Sequence, residues 1–373
     1  MRTGFDAKRA VQNNTGLGNY SRYIIDILSK FYPENDCVLF APKKKENSRL
    51  QTILSRKNIF IVFAPWFYRL TASLWRTFGV KKDIVKNKID VFHGLSNELP
   101  VGIRKTGIKS VVTIHDLIFL KYPQYYKPAD RIIYRFKFRY ACRNADKIIA
   151  ASECTKRDII SFFHIPENKI SVVYQGCHQA FGIEADDSRR KAVVEKYGLP
   201  PCFLLNVGSI ENRKNLMLAV KALKHIPENI HIVAVGKSTP YQLQVENYAE
   251  KTGLKSRLHI LNNVCFDDLP ALYQLADVFV YPSQYEGFGI PVIEALTSGT
   301  PVIAATGSCL EEAGGTDSFY VNPDDDMDLA KKIMLLINDK ALSQKTIDAG
   351  REYVKRFSDK NIADNIMRIY RSL

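Results

Sequence analysis

Short β-rich runs alternate with longer amphipathic stretches along this 373-residue chain, and the alternation runs through twice. In the first half strands are predicted at 3–6, 37–41, 59–63, 91–93, 111–114, 147–151 and 170–174. In the second half they fall at 203–207, 230–235, 258–261, 278–281, 302–304 and 319–321. Helical patterns fill most of the gaps, among them 17–31, 129–143, 216–223, 241–251, 291–298 and 327–337. Parallel strands need long crossover connections, usually helical, so this order predicts parallel sheets covered on both faces. The expected fold class is α/β, two doubly wound domains of similar size, with the boundary before the polar stretch 184–190. Ligands of open α/β sheets bind outside the carboxyl ends of the strands. Two such sheets are therefore expected to face each other across a cleft that holds the chemistry.

With 46% apolar and 25% charged residues the chain can bury a full core, which excludes disordered and collagen-like classes. Its apolar runs are strand-sized, far short of the roughly 20 residues that span a bilayer. Met1 to Asp6 carries base and acid where a signal peptide needs an apolar stretch, so a cytosolic chain, soluble or peripheral to a membrane, is expected. The seven cysteines are scattered without a C-x-x-C pair and read as reduced thiols, not as a zinc site or disulfide framework. Charge divides unevenly: residues 1–182 hold 31 Lys+Arg against 14 Asp+Glu, whereas residues 183–373 hold 22 against 25. A basic half joined to a near-neutral half implies two jobs, the basic half facing something anionic.

Four segments carry candidate chemistry. Tyr285-Glu286-Gly287-Phe288-Gly289-Ile290-Pro291 follows an apolar strand and opens a helix, with Glu294 one turn further on. Glycines there let backbone N–H groups approach an anion at the helix N-terminus. Glu294 is placed to accept both hydroxyls of a ribose, and Glu286 to reach a sugar hydroxyl. Asn206 to Asn215 ends the first strand of the second domain, and its adjacent Arg213 and Lys214 are suited to clamp a diphosphate and stabilise it as a leaving group. The Gly16-Leu17-Gly18 loop follows the first strand of the chain. His115-Asp116 closes the strand 111–114, where an imidazole can donate to a sugar hydroxyl or diphosphate, or relay a proton.

Asp324-Asp325-Asp326 reads as a helix cap rather than a metal site, and Lys43-Lys44-Lys45 as a solvated loop. Trp66, Leu70, Leu74 and Phe78 recur every four residues, with Arg69 and Arg76 between them. On one short helix that stripe suits either an interfacial membrane contact or ordinary core packing.

Together these segments resemble the family-4 retaining glycosyltransferases of the GT-B fold. The resemblance rests on Gly4-Phe5-Asp6-Ala7, Gly16-Leu17-Gly18, Asp90-Val91-Phe92-His93-Gly94, Thr113-Ile114-His115-Asp116, Arg213-Lys214-Asn215, the Glu286/Glu294 pair and Gly299-Thr300-Pro301-Val302. It implies two Rossmann-like domains facing across a cleft: residues 1–182 for the acceptor, 183–356 for a nucleotide-sugar donor, and a final helix, 357–373, returning to the first domain. It further implies transfer with retention of configuration, no cofactor and no catalytic metal, the nucleotide-sugar being a substrate. By position, Arg213 and Lys214 bind the diphosphate, and Glu294 the ribose. Glu286, Gly287, Phe288, Gly289 and Ile290 bind the donor sugar and phosphates. His115 lines the reaction centre, and Gly16 and Gly18 let the first loop approach the donor. Ser209 stands where some members carry a second phosphate-binding arginine, which loads Arg213 further.

The expected donor is a GDP- or UDP-linked hexose such as mannose, with ADP a third candidate. The expected acceptor is a saccharide or lipid-linked saccharide of a cell-surface polysaccharide, such as lipopolysaccharide, at the cytosolic membrane face. The same fold leaves open an epimerase or a glucan phosphorylase. A nucleic-acid-binding protein, suggested by the net charge of +14, is disfavoured because no helix carries a clustered basic face with interleaved aromatics.

Overall fold

The computed structural model describes every residue except Glu46 and Arg69. The described residues form two compact units, one of Met1–Gln175 with Ser358–Leu373, the other of Gly176–Phe357. Both are parallel α/β sheets.

In the first unit the strands are β1 (Arg2–Asp6), β2 (Asp36–Ala41), β3 (Ile59–Phe63), β4 (Val91–Gly94), β5 (Lys109–Ile114), β6 (Lys147–Ala150) and β7 (Ile170–Val172). They pair in the order β3-β2-β1-β4-β5-β6-β7. In the second unit β8 (Phe203–Val207), β9 (His231–Val235), β10 (Leu258–Leu261), β11 (Val278–Tyr281), β12 (Val302–Ala305) and β13 (Phe319–Val321) pair as β10-β9-β8-β11-β12-β13. Strand order reverses between β1 and β4 in one sheet and between β8 and β11 in the other. Such switch points open a crevice at the carboxyl ends of the strands, where α/β proteins bind ligands. The central strands are almost wholly buried because helices cover both faces, which is why they read as continuous apolar runs such as Phe203-Leu204-Leu205 and Val278-Phe279-Val280, whereas the edge strands β3, β7, β10 and β13 are only partly buried.

The domain boundary lies earlier than residue 182. The short turn Gln179–Gly182 belongs to the second unit because Phe181 is fully buried there, its ring 5.5 Å from that of Tyr273, and its carbonyl accepts from Ser298 Oγ. Phe357 also stays with the second unit, 5.6 Å from the Phe288 ring. The last helix, Asp359–Arg371, lies in the first unit. Its Ile362, Ile366, Met367 and Tyr370 join the core formed by Phe5, Ile24, Leu28 and Leu39. Polar bonds fix its register: the Tyr23 hydroxyl donates to Asp359 Oδ1 at 2.9 Å and the Tyr32 hydroxyl to Asp364 Oδ1 at 2.5 Å. Tyr370 reaches deeper, its hydroxyl 2.6 Å from His93 Nδ1. His93 Nε2 lies 2.8 Å from Thr113 Oγ1, itself 3.0 Å from the Tyr20 hydroxyl.

Two further expectations resolve here. Asp325 Oδ1 accepts from the Asp328 amide at 2.8 Å, so the aspartate run does cap the helix Asp326–Asn338. The stripe from Trp66 to Phe78 is not one helix and is not core. A 3-10 turn (Trp66–Tyr68), a helical turn (Ala72–Leu74) and a π-helical turn (Trp75–Gly79) lead into the helix Val80–Lys86. Trp66, Leu70, Leu74 and Phe78 are 86, 96, 50 and 53% exposed, whereas Trp75, off the stripe, is buried and donates to Asp83 Oδ2 at 2.7 Å. Arg69, expected beside the stripe, lies outside the described residues.

Because Ile366 is fully buried against the first-unit core, Ile366→Ala is expected to cost about 2–5 kcal/mol in that unit. Urea unfolding followed by tryptophan fluorescence checks this, since Trp66 and Trp75, the only tryptophans of the sequence, both lie there. An unchanged midpoint would mean the helix merely rests on the surface.

Candidate active site

The switch point of the second sheet gathers the charged residues. After β8 the chain makes a short 3-10 turn, Asn212–Lys214, ending at Asn215 in the left-handed region (φ 57°). Asn215 Nδ2 donates to the carbonyls of Pro282 (3.2 Å) and Pro323 (2.7 Å), and the Gln284 amide donates to the Arg213 carbonyl at 2.9 Å. The loop after β8 is thereby fastened to the loop after β11.

Arg213 and Lys214 consequently point inward. Arg213 Nη1 lies 2.9 Å from Glu286 Oε2 and also bonds the Tyr285 carbonyl, while Nη2 donates to Glu211 Oε1 at 2.7 Å. Lys214 Nζ pairs with Glu286 Oε1 and donates to the Tyr281 hydroxyl at 2.6 Å. Ser283 Oγ and the Tyr281 hydroxyl donate to the same Glu286 oxygen at 2.7 and 3.1 Å. Burial alone pushes the Glu286 carboxyl up, but Lys214 and Arg213 outweigh it and hold it at about 2. Arg213 is penalised by burial yet held firmly protonated by Glu286 and Glu211. Two cations against two carboxylates make a preformed, charge-balanced cluster that an arriving diphosphate can enter by competing for the cations.

Glu294 is the opposite case. It sits in the helix Ile290–Ser298, accepts from the Tyr273 hydroxyl at 2.9 Å, and burial pushes its carboxyl up to about 7. The helix opens beside Pro291 as expected, and the Val292 and Ile293 amides donate to the carbonyl of its capping residue Gly289 at 2.9 and 3.2 Å. Gly289 is needed there for packing: a Cβ would lie 2.8 Å from Ala313 Cβ. The preceding Gly287-Phe288 turn is held from below by Cys309, whose buried thiol donates to the carbonyls of Glu286 (3.1 Å) and Phe288 (2.7 Å). Ser209 is exposed in the loop after β8.

The remaining candidates belong to the first unit. His115, at the carboxyl end of β5, is buried, with Nε2 2.9 Å from the Leu95 carbonyl and the ring edge-on to Tyr20 at 4.5 Å. A carbonyl only accepts, so Nε2 carries the proton. Burial lowers the imidazole to about 4, leaving it neutral. His115 is thus built to accept at Nδ1 rather than to donate as a cation. Gly16 begins the helix Gly16–Phe31 and faces open space, whereas a Cβ on Gly18 would lie 1.9 Å from the Asn13 carbonyl oxygen. Gly18 therefore serves the loop's own closure.

Sequence reasoning missed Tyr281, Ser283, Tyr273 and Cys309. The first two end or follow an apolar strand and read as its continuation; Tyr273 and Cys309 have no local signal.

Residues 190–353 match the family of glycosyl transferases group 1, and residues 18–180 match glycosyltransferase family 4. The chain belongs to the family-4 glycosyltransferases. This glycosyltransferase is 27% identical to the O-antigen chain mannosyltransferase B of Escherichia coli over 96% of each chain. It is 30% identical to the serotype-specific mannosyltransferase WbdA of the same organism over 74% of its own length, a match that spans 35% of that longer protein. Among solved structures, Anabaena HepE with UDP-glucose superposes with a TM-score of 0.77 at 18% identity, covering all of both chains. WaaG, a glycosyltransferase of lipopolysaccharide biosynthesis, gives 0.69 at 17% identity over 99% of each. Both place the glycosyltransferase in the GT-B fold.

The perturbed Glu294 makes a sign-specific prediction. Its folded-state value lies above the usual carboxylate value of 4.5, so the native state holds the proton more tightly than the unfolded chain. The associated stability is complete below about pH 4.5 and is lost as pH rises through about 7. Glu294→Gln, neutral throughout, should melt higher than the wild type at pH 8 and about equally at pH 4.5. Equal differences at both pH values in a thermal-shift assay would contradict the assignment.

Proposed function

We propose that this glycosyltransferase moves a hexose, mannose in the first instance, from a GDP- or UDP-linked donor to a saccharide acceptor with retention of anomeric configuration and without a metal or cofactor. The observation that carries this reading is the inward pairing of Arg213 and Lys214 with Glu286 at the switch point of the second sheet. As the bond from the anomeric carbon to the diphosphate oxygen breaks, negative charge grows on the departing phosphate. Arg213 and Lys214 neutralise it from fixed positions, where they need no reorganisation. The acceptor hydroxyl attacks from the same face, and its proton passes to the departing phosphate oxygen, so no protein carboxylate has to act as nucleophile. Glu294 receives the ribose hydroxyls. Ile290 and the Gly287–Gly289 backbone hold the phosphates at the helix N-terminus. Glu286 keeps the two cations in place and offers an oxygen to the donor sugar. Neutral His115 accepts a hydrogen bond from a sugar hydroxyl.

The O-antigen mannosyltransferases among the relatives support mannose and a surface polysaccharide as product. In this reading the acceptor is lipid-linked and lies at the cytosolic face of a membrane, which the protein visits peripherally. No described helix is long and apolar enough to cross a membrane, and the exposed aromatic and leucine side chains of residues 66–78 supply an interfacial contact.

Lys214→Ala is expected to lower kcat by about 10²–10³, the usual loss for one preorganised stabiliser, with a smaller change in KM; radiolabelled hexose transfer measures it. Near-wild-type turnover would remove the leaving-group clamp. A thermal-shift series with GDP, UDP and ADP should raise the melting point for one base, since a ligand bound only by the native state stabilises it. No shift with any of them would overturn the donor assignment.

A further inference from the structure

The first sheet also has a switch point, and it too is crossed by a buried arginine. Asp6 ends β1 and Glu98 follows β4, the two strands between which the order reverses. Arg76 bridges them, with Nη2 2.5 Å from Asp6 Oδ2 and Nη1 2.6 Å from Glu98 Oε2, and Lys137 Nζ lies 3.3 Å from the same Glu98 oxygen. Beside this set lies a cavity of about 290 Å³. Its walls are otherwise apolar, with Phe40, Trp75, Val80, Phe92, Leu99 and Phe136 prominent among them.

A saccharide needs hydroxyl-matching donors and acceptors, but here the charged groups are paired with one another, the Thr77 hydroxyl donates to the Ser73 carbonyl, the Tyr140 hydroxyl accepts from the Gly102 amide, and the rest is hydrocarbon. The volume falls just below the roughly 300 Å³ at which ligand pockets begin, which suits one segment of a chain rather than a whole polar ligand. Around the cavity the surface is unusually greasy. Phe136 is 72% exposed, Ile132 and Ile133 on the same helix (Pro128–Asn144) are exposed, and so are Leu74 and Phe78 on the segment that carries Trp75. That helix also bears Arg131, Arg135, Lys137, Arg139 and Arg143 within a half of the chain that holds 31 basic against 14 acidic residues. Apolar side chains amid cations fit an amphiphile with an anionic headgroup.

We propose that this cavity holds the hydrocarbon chain of a lipid-linked acceptor, drawn from an anionic bilayer on which the exposed side chains rest. The inference rests on the lipid-linked acceptor proposed above, and it assigns the first unit a specificity element for the lipid rather than for the sugar.

The test needs no turnover. Trp66→Phe leaves Trp75, a wall of the cavity, as the only tryptophan. Monomeric dodecyl maltoside brominated along its chain should quench Trp75 saturably, and maltose should not. Val101→Phe, on a partly exposed cavity wall, should weaken that quenching at least tenfold with the urea midpoint unchanged. If that variant does not fold, Phe136→Asp carries the same expectation. Strong quenching by vesicles of brominated phosphatidylglycerol with none by the monomeric detergent would point to bulk insertion and overturn the cavity. Linear quenching, or quenching unchanged in the filled variant, would overturn it too. In the transfer assay Val101→Phe should raise KM for a lipid-bearing acceptor about tenfold and leave KM for the same saccharide without lipid unchanged; an equal rise for both would count against the proposal. Saturable quenching without transfer to any acceptor would leave the cavity standing and remove the transferase reading instead.

Discussion

The ion cluster of Arg213, Lys214 and Glu286 is the constraint on which the second unit's chemistry depends. Removing three charges from water costs several kcal/mol each unless their partners are close and their remaining hydrogen bonds are met. Here they are met: Tyr281 and Ser283 address one Glu286 oxygen, and Arg213 spends its other donors on Glu211 and the Tyr285 carbonyl. The same contacts join the loop after β8 to the loop after β11, so cation placement and loop conformation are one event. A diphosphate that replaces part of the Glu286 and Glu211 charge meets donors already oriented, and little ordering remains to be done on binding.

The first unit repeats the device with a different outcome. Its switch point is also spanned by an arginine between carboxylates from neighbouring strands, and Asp6 and Glu98 hold Arg76 protonated against the penalty of burial as Glu286 and Glu211 hold Arg213. The adjoining wall is mostly hydrocarbon. One topology thus yields two charge-balanced clusters of an arginine, a lysine and two carboxylates, and what separates them is the surroundings: hydroxyls of Tyr281 and Ser283 beside Glu286, and the rings of Phe40, Trp75, Phe92 and Phe136 beside Arg76. The C-terminal helix matters to this arrangement because Tyr370 completes the buried chain through His93 and Thr113 to Tyr20, whose ring supports His115.

Much of this was legible in the sequence, for physical reasons that also explain where legibility ended. Parallel strands covered by helices are rich in apolar residues, and β3, β8, β10, β11 and β13 match the runs predicted for them residue for residue. Ends that depend on a cap or a single ladder bond, as at β5 and β7, shift by two residues. The Arg213-Lys214 and Glu286 segments could be paired because each follows a strand. Tyr281, Ser283 and Cys309 could not be assigned, because a strand-terminal tyrosine and a buried thiol acquire meaning only from partners in other loops. The stripe from Trp66 to Phe78 has helical spacing but no continuous helix to carry it, and a π-helical turn rotates Trp75 inward in its place. The boundary at 175 rather than 182 follows from the packing of Phe181 on Tyr273 and the bond from Ser298 to its carbonyl, which no local pattern encodes.

The two glutamates eight residues apart show why spacing alone understates this site. Both are shielded from water by the same loop and helix, so desolvation raises both. Glu286 faces two cations and is held at about 2, while Glu294 faces only a tyrosine hydroxyl and rises to about 7. Neighbouring carboxyls whose environments drive them apart are suited to separate tasks. A permanently ionised Glu286 can hold cations in place through a reaction in which charge moves beside it. A carboxyl balanced near neutrality, like Glu294, is sensitive to a ligand that donates two hydroxyls, because those hydrogen bonds favour its ionised form and lower its pKa. If Glu294 receives the ribose hydroxyls as proposed, nucleotide binding draws a proton off it near pH 7, and donor affinity weakens as pH falls below about 7 through a residue remote from the bond that breaks.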